Sequence, residues 1–387
     1  MSRCVAIVLI ASATALAAEP PIPPPLVRSV SFSPDGSLLT AAVMPKDRGG
    51  RVFVWDVAGH KLISKYDQAG ESPMAQFTAD GKSIVVANGR KLLLVLDPKT
   101  GQKVDEQRPL PSEATNLFRA GKDKWLLRGK DSVFRLWDAK DKKVLHECAA
   151  GKNIWGWGVS PNGKWLFVND SGVDKVWELA TGKEVAEVFK SKSDNAHVVT
   201  FVTEDWILLG SNRGSHKIVE LPSGKEILRF KNEGGTGAVF YSQTANMLAC
   251  RYHTSSSIAL TPLTFRKPTD GEKTRVADLL KACDSDDYAT REKAAANLVE
   301  LGSAIEPLLK AAMSEGPSAE VRMRARLARE TILNKPKTRL VGHFDEIRAT
   351  EFSPNGKLIA TGAADGLVIL WDVATGKEVA RLSTGVD

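Results

Sequence analysis

The chain has 387 residues, 43% of them hydrophobic and 26% charged, which excludes a disordered or collagen-like polymer and leaves ample apolar material for a core. Its 53 Lys and Arg against 46 Asp and Glu give a formal charge of +7; the bases are interspersed with acids, so nothing resembles the basic stripe of a nucleic-acid binder except one short helical cluster. Cys4, Cys148, Cys250 and Cys283 are too scattered for a disulfide framework or a metal-ligand set, and no metal or cofactor is expected.

Taken in order, Met1 to Ala18 combines Arg3, a short apolar run from Val5 and the triplet Ala15-Leu16-Ala17. Those features predict a secretory signal peptide over residues 1–17, cut after Ala17, with an uncleaved anchor as the alternative. The run is short for a membrane span. The expected location is therefore extracytoplasmic, periplasmic or secreted, with no membrane association after cleavage. Residues 18–25, ending in Pro-Ile-Pro-Pro-Pro, read as a stiff spacer.

A repeat begins at residue 26. Each unit has an apolar strand, a turn such as Ser33-Pro34-Asp35-Gly36 or Ser160-Pro161-Asn162-Gly163, a second strand, a third ending near Trp-Asp, and a Thr-Gly-Lys type turn. The third-strand landmarks Trp55, Leu96, Trp137, Trp177 and Val219 are spaced by 41, 41, 40 and 42 residues. A period near forty with alternating strands and Gly turns predicts a propeller blade per unit, because helical solenoids of that period would show 3.6-residue patterning.

The sixth unit breaks after Ile258-Ala259-Leu260. Over residues 267–336 the apolar period changes to 3.6, with stripes at Val276, Leu279 and Leu280, at Ala295, Leu298 and Val299, at Ile305, Leu308 and Leu309, and at Val321, Ala325, Ala328 and Ile332. About four short amphipathic helices are predicted. Tyr288 to Gly302 and Glu320 to Leu333 resemble HEAT-like helical repeats. Thr338 to Val341 then reads as the missing fourth strand of the sixth unit, which makes the helices an insertion between its third and fourth strands.

The last unit, Leu340 to Ser383, reads LVGHFDEIRATEFSPNGKLIATGAADGLVILWDVATGKEVARLS. It resembles the WD-repeat β-propeller family. The resemblance implies an all-β seven-bladed β-propeller, residues 26–266 and 337–387, with a small α-helical insertion in blade six. It also implies that His343, Thr361, Asp365 and Trp371 form a buried hydrogen-bonded set of structural residues. Glu378 to Leu382 supplies the last blade's own fourth strand, so ring closure is expected from packing of blade one on blade seven, with Ile22 to Leu26 placed to add a tie. From the family's strand direction, the insertion is expected on the face opposite the one most used for partners.

Catalytic signals reduce to structural ones. Ser160 lacks the second Gly of a nucleophile elbow and belongs to a turn that recurs at Ser33 and Ser353. Asp284, Asp286 and Asp287 fit helix capping before Tyr288 better than a calcium loop. The expected function is noncatalytic: an exported, monomeric scaffold that binds a protein partner, with nucleic acid not expected. Candidate partner-binding residues are Arg28, Arg48, Arg51, Trp155 and Arg348 on the ligand face, where aromatic and Arg anchors favour contact, and Arg322, Arg326 and Arg329 along one side of the last inserted helix. The alternative is an extracytoplasmic enzyme or ligand sensor using the central channel, which needs convergent acids, bases or a metal on innermost strands that offer mainly Val, Ala, Phe, Ser, Trp and a few Arg.

Overall fold

The computed structural model describes residues 24–45, 49–67, 69–107, 110–185, 196–211, 214–231, 236–252, 255–334 and 336–385. The expected leader, most of the spacer and Arg48 lie outside the described residues. Seven four-stranded antiparallel sheets follow one another, each with its strands in sequence order. The chain folds as a seven-bladed β-propeller.

The turns explain the blade. In Ser353-Pro354-Asn355-Gly356 the Ser353 hydroxyl donates to Asn355 Oδ1 at 2.8 Å and accepts from the Leu358 amide at 2.9 Å, and Gly356 has φ 69°. Ser33 and Ser160 do the same in blades one and four. These turns also nest between blades. A Cβ on Gly356 would lie 2.7 Å from the Ala245 amide of blade six, so glycine is required there for approach as well as for φ, whereas at Gly36, in ordinary contact range of Pro354, φ alone requires it.

Apolar side chains on the sheet faces form clusters between consecutive blades rather than one central core. The cluster joining blade one to blade seven contains Val27, Val30, Phe32, Ala349, Val368 and Leu370. Blade seven owns its fourth strand, Glu378–Ser383, so face-to-face packing closes the ring. Pro24 and Pro25 lie against Gly366 of blade seven and add the expected tie from the N-terminal side.

In blade six the third strand, Ser257–Pro262, pairs with Thr338–Val341 across the insertion, with Leu260 opposite Thr338. Between them run α1 (Asp270–Ala282), α2 (Tyr288–Glu300), α3 (Glu306–Glu315) and α4 (Ala319–Asn334). Thr269 and Glu272 make a capping box at α1, and Asp287 caps α2 by accepting from the Thr290 amide at 2.8 Å, as the acid-before-helix pattern requires.

The chain enters and leaves the insertion at the blade end carrying the first-to-second-strand turns, as the strand direction predicts. The helices do not stand off the ring as a separate surface, however. Val276, Leu279, Leu298, Leu309, Val321 and Ile332 belong to the same apolar cluster as Leu228, Phe230, Val239 and Leu263 of blades five and six. Phe265 sits edge-on to Trp206 at 5.8 Å, and the Lys231 amide of blade five donates to Asn334 Oδ1 at 3.0 Å. The insertion is a wedge against the outer side of blades five and six.

Candidate functional site

Blade seven carries the hydrogen-bonded set. Trp371 Nε1 donates to the Thr361 hydroxyl at 2.8 Å, Thr361 Oγ1 lies 2.8 Å from His343 Nε2, and His343 Nδ1 lies 2.9 Å from Asp365 Oδ2. One proton order consistent with these distances runs from tryptophan to threonine, threonine to Nε2, and Nδ1–H to the carboxylate; the Ile369 carbonyl, 3.4 Å from Thr361 Oγ1, is a second acceptor for the hydroxyl. Burial alone would raise the Asp365 pKa, but His343 and the Phe344 and Leu367 amides all donate to it and hold it below the usual carboxylate value. Every member is spent on its neighbours, which makes the set a brace rather than a reactive centre. In blade three the equivalent tryptophan, Trp137, donates to Gln107 of blade two instead, at 2.8 Å.

The opposite ends of the blades, where second strands turn to third and fourth strands lead to the next blade, form the face on which a partner is expected, the ligand face. Its geometry depends on bulges. Register slips between Val27 and Ser29, between Ile154 and Gly156, and between Ile347 and Ala349. Arg28, Trp155 and Arg348 are the extra residues at these three bulges, and a bulge re-aims the side chain it carries. Trp155 is 40% exposed, whereas Trp157 packs between blades, 4.5 Å from Phe118 and 5.1 Å from Phe134. Arg348 pairs with Glu346 at 2.7 Å and Arg51 with Asp67 at 3.3 Å.

Two cavities open from this geometry. A cleft of about 410 Å³ between blades one, two and three is lined by Arg28, Glu71, Ser72, Thr115, Arg128 and Lys130, among others. A cavity of about 340 Å³ on the central channel is lined by Trp155, Trp157, Val199, Phe201, Val239 and Phe240. On the innermost strand of blade seven, Glu351 Oε1 accepts from the Phe32 amide of the adjacent blade one at 3.2 Å. The Glu351 side chain keeps some exposure to the bore, yet its carboxyl is enclosed, and this burial pushes its pKa up to about 7 against the opposing pull of the Phe32 amide, Arg119 and Ser31. Gln76 makes the same kind of bond to the Arg119 amide of blade three at 3.1 Å.

The family model for "WD domain, G-beta repeat" matches residues 23–56 and 334–372, the two regions that meet at the ring closure. The chain carries WD repeats at both of these places. It is similar to the small ribosomal subunit protein RACK1y of Oryza sativa subsp. japonica, 41% identical over 51 residues, 13% of this chain and 15% of that one. It is also similar to protein Mut11 of Chlamydomonas reinhardtii, 52% identical over 40 residues, 10% of this chain and 11% of the relative. A third relative is the cross-pathway control WD-repeat protein 2 of Flammulina velutipes, 41% identical over 51 residues, 13% and 16% of the two chains. The alignments thus span a small fraction of each relative's length.

In this WD-repeat ring the inserted arginines separate by role. Arg322 donates to the Gly316 carbonyl at 2.7 Å, Arg329 pairs with Glu306 at 2.7 Å, and Arg326 is exposed. Arg324, which helical geometry sets apart from those three, is buried between Glu320 at 2.6 Å and Glu292 at 3.0 Å. Sequence reasoning missed Glu351 and Arg128, whose significance comes from neighbours on other blades. It also missed Phe344, 83% exposed on the ligand face beside the brace with the Arg381 guanidinium 5.9 Å from its ring; an aromatic directly after the Gly342-His343 pair was the available signal. Among the described residues, no group of three or more His, Cys, Asp or Glu is placed to hold a metal ion, and no helix is long and apolar enough to cross a membrane.

Proposed function

We propose that this WD-repeat propeller is a noncatalytic protein-interaction scaffold, exported from the cytoplasm, that binds a protein partner on its ligand face. The observation that carries the reading is the exposure of Phe344 and Trp155 on that face together with the bulge arginines Arg28 and Arg348, since exposed aromatics beside Arg are what protein contacts use. The rice relative is named as a small ribosomal subunit protein, a component of a larger assembly, which is in keeping with a scaffold. Export rests on the features of residues 1–17. Affinity capture with the whole chain from its own cell envelope tests the reading: a stoichiometric protein recovered by wild type and lost with Phe344→Ala plus Trp155→Ala is expected. Recovery of no protein overturns it, and a mature N-terminus still at Met1 in the cytoplasmic fraction overturns export.

A second reading, a small-ligand sensor using the channel, is favoured by the apolar cavity on the innermost strands of blades three to six and by the enclosed Glu351 carboxyl on the innermost strand of blade seven. A small molecule retained on the purified chain in native mass spectrometry, and lost in Glu351→Gln, would select it.

A further inference from the structure

The cleft between blades one, two and three holds more positive charge than its own acids neutralise. Arg28 reaches it from the bulge of blade one, and its Nε is buried without a hydrogen-bond partner. Arg128, on the second strand of blade three, has its guanidinium 6.0 Å from the Phe134 ring. Neither side chain has an ion pair among the described residues. Burial pushes the Arg128 guanidinium below its ordinary pKa with no acid compensating; half-buried beside Phe134, it has no carboxylate partner, so an anion brought to it would gain a charge-assisted hydrogen bond.

The rest of the wall defines the missing group. Lys130 is held by Glu113, and Glu71 also faces it. Arg28, Arg128 and Lys130 set against Glu71 and Glu113 leave a single positive charge uncompensated. Ser72, Asn116 and Ser132 add neutral polar groups around it. Thr115, the extra residue of the blade-three bulge, donates to the Arg128 carbonyl at 3.1 Å and steadies that strand. Ser132 holds φ 63°, an unfavourable value for a residue with a side chain, within the turn that forms one wall. A monoanion of planar geometry matches two guanidinium forks and one unit of charge, whereas a dianionic phosphate would be under-neutralised.

We propose that this cleft receives the carboxylate of an Asp or Glu side chain presented by the protein partner. The inference rests on the scaffold reading and names the chemistry its partner must offer. The cleft is the specificity pocket of the ligand face, with Arg28 and Arg128 clamping the carboxylate and Phe344 and Trp155 contacting apolar surface elsewhere on that face.

The test uses the whole chain and blocked, fluorescently labelled peptides with a Gly-Ser background carrying two Glu, two Gln or two phosphoserines, read by fluorescence polarisation. The Glu peptide is expected to bind, the Gln peptide at least tenfold more weakly, and Arg28→Gln with Arg128→Gln to lose at least tenfold toward the Glu peptide. Arg275→Gln, which removes one exposed positive charge from α1, is expected to stay within twofold. Equal binding of the Glu and Gln peptides, tighter binding of the phosphoserine peptide, equal loss in Arg275→Gln, or no binding of the Glu peptide at millimolar concentration would each overturn the inference. Should the double variant melt early, Arg28→Lys decides: it keeps the charge but not the fork, and unchanged affinity for the Glu peptide overturns the proposal. Partner capture by wild type that persists in the double variant refutes the cleft while leaving the scaffold reading intact; absence of any captured protein refutes the scaffold reading, and the peptide series then judges the cleft alone.

Discussion

Trp371 and Thr361 join the third and second strands of blade seven through a 2.8 Å side-chain hydrogen bond, and the same threonine hydroxyl reaches His343 at 2.8 Å. One hydroxyl therefore serves two buried partners. Thr361→Val keeps the shape and removes the hydroxyl, leaving the Trp371 N–H and His343 Nε2 without it. The expected loss is about 1–3 kcal/mol of stability, read as a lowered midpoint in urea, with affinity for acidic peptides unchanged.

Glu351 predicts a pH effect of opposite sign to an ordinary paired carboxylate. Its pKa in the folded ring is raised to about 7, so the fold prefers the protonated acid; this contribution is complete below the unfolded pKa near ~4.3 and is lost as pH rises to about 7. Glu351→Gln retains an acceptor for the Phe32 amide and removes the titration. Between pH 4.5 and 7 the wild type should lose about 1–3 kcal/mol relative to the variant, channel water holding the effect below its full value, as measured by urea midpoints across that range.

The two tryptophans of blade four should part company. Trp157, partly buried and packed on Phe118 and Phe134, is expected to cost about 2–4 kcal/mol when changed to Ala, its open side on the channel keeping the loss below that of a fully buried tryptophan. Trp155→Ala with Arg348→Ala should lower the melting temperature little while weakening partner capture. A large loss of stability in the second variant would place Trp155 among the packing residues.

On α4, Arg324→Ala removes a buried guanidinium from Glu320 and Glu292 and should cost about 1–3 kcal/mol, the exposure of Glu292 moderating the loss. Arg326→Ala should fall within about 0.5 kcal/mol of wild type. Retention on a polyanion matrix that drops sharply in Arg326→Ala would show that α4 offers a real anionic docking surface.

Removing residues 267–336 should do more than trim an appendage. Leu228, Phe230 and Leu263 share an apolar cluster with Val276, Leu298 and Val321, so excision uncovers the flank of blades five and six. The expected product is aggregated, or binds a hydrophobic dye strongly; a monomer melting like wild type would show that the ring closes without its wedge.

The blade count, the turns and the four helices could be read from residues alone because each is a local matter. Pro34 with Gly36, Pro161 with Gly163 and Pro354 with Gly356 set backbone dihedrals within four residues, and strand and helix periods are visible within a dozen. The brace of blade seven was legible for a similar reason: His343, Thr361, Asp365 and Trp371 lie within a single blade. Arg28, Trp155 and Arg348 could be aligned with one another in sequence, but not seen as bulge residues, since a bulge is a relation between two strands.

What the sequence by itself determined is the repeating unit, its interruption between the third and fourth strands of blade six, and the hydrogen-bonding set of the last blade, all products of short-range stereochemistry. Only the tertiary structure decided which surfaces those units share. The raised pKa of Glu351 depends on its enclosure in the assembled ring, the unpaired charge of Arg28 and Arg128 on three blades meeting, and the place of the helices on an apolar flank supplied by blade five. Desolvation and charge pairing are set by neighbours distant in the chain, and those neighbours exist only once the ring has closed.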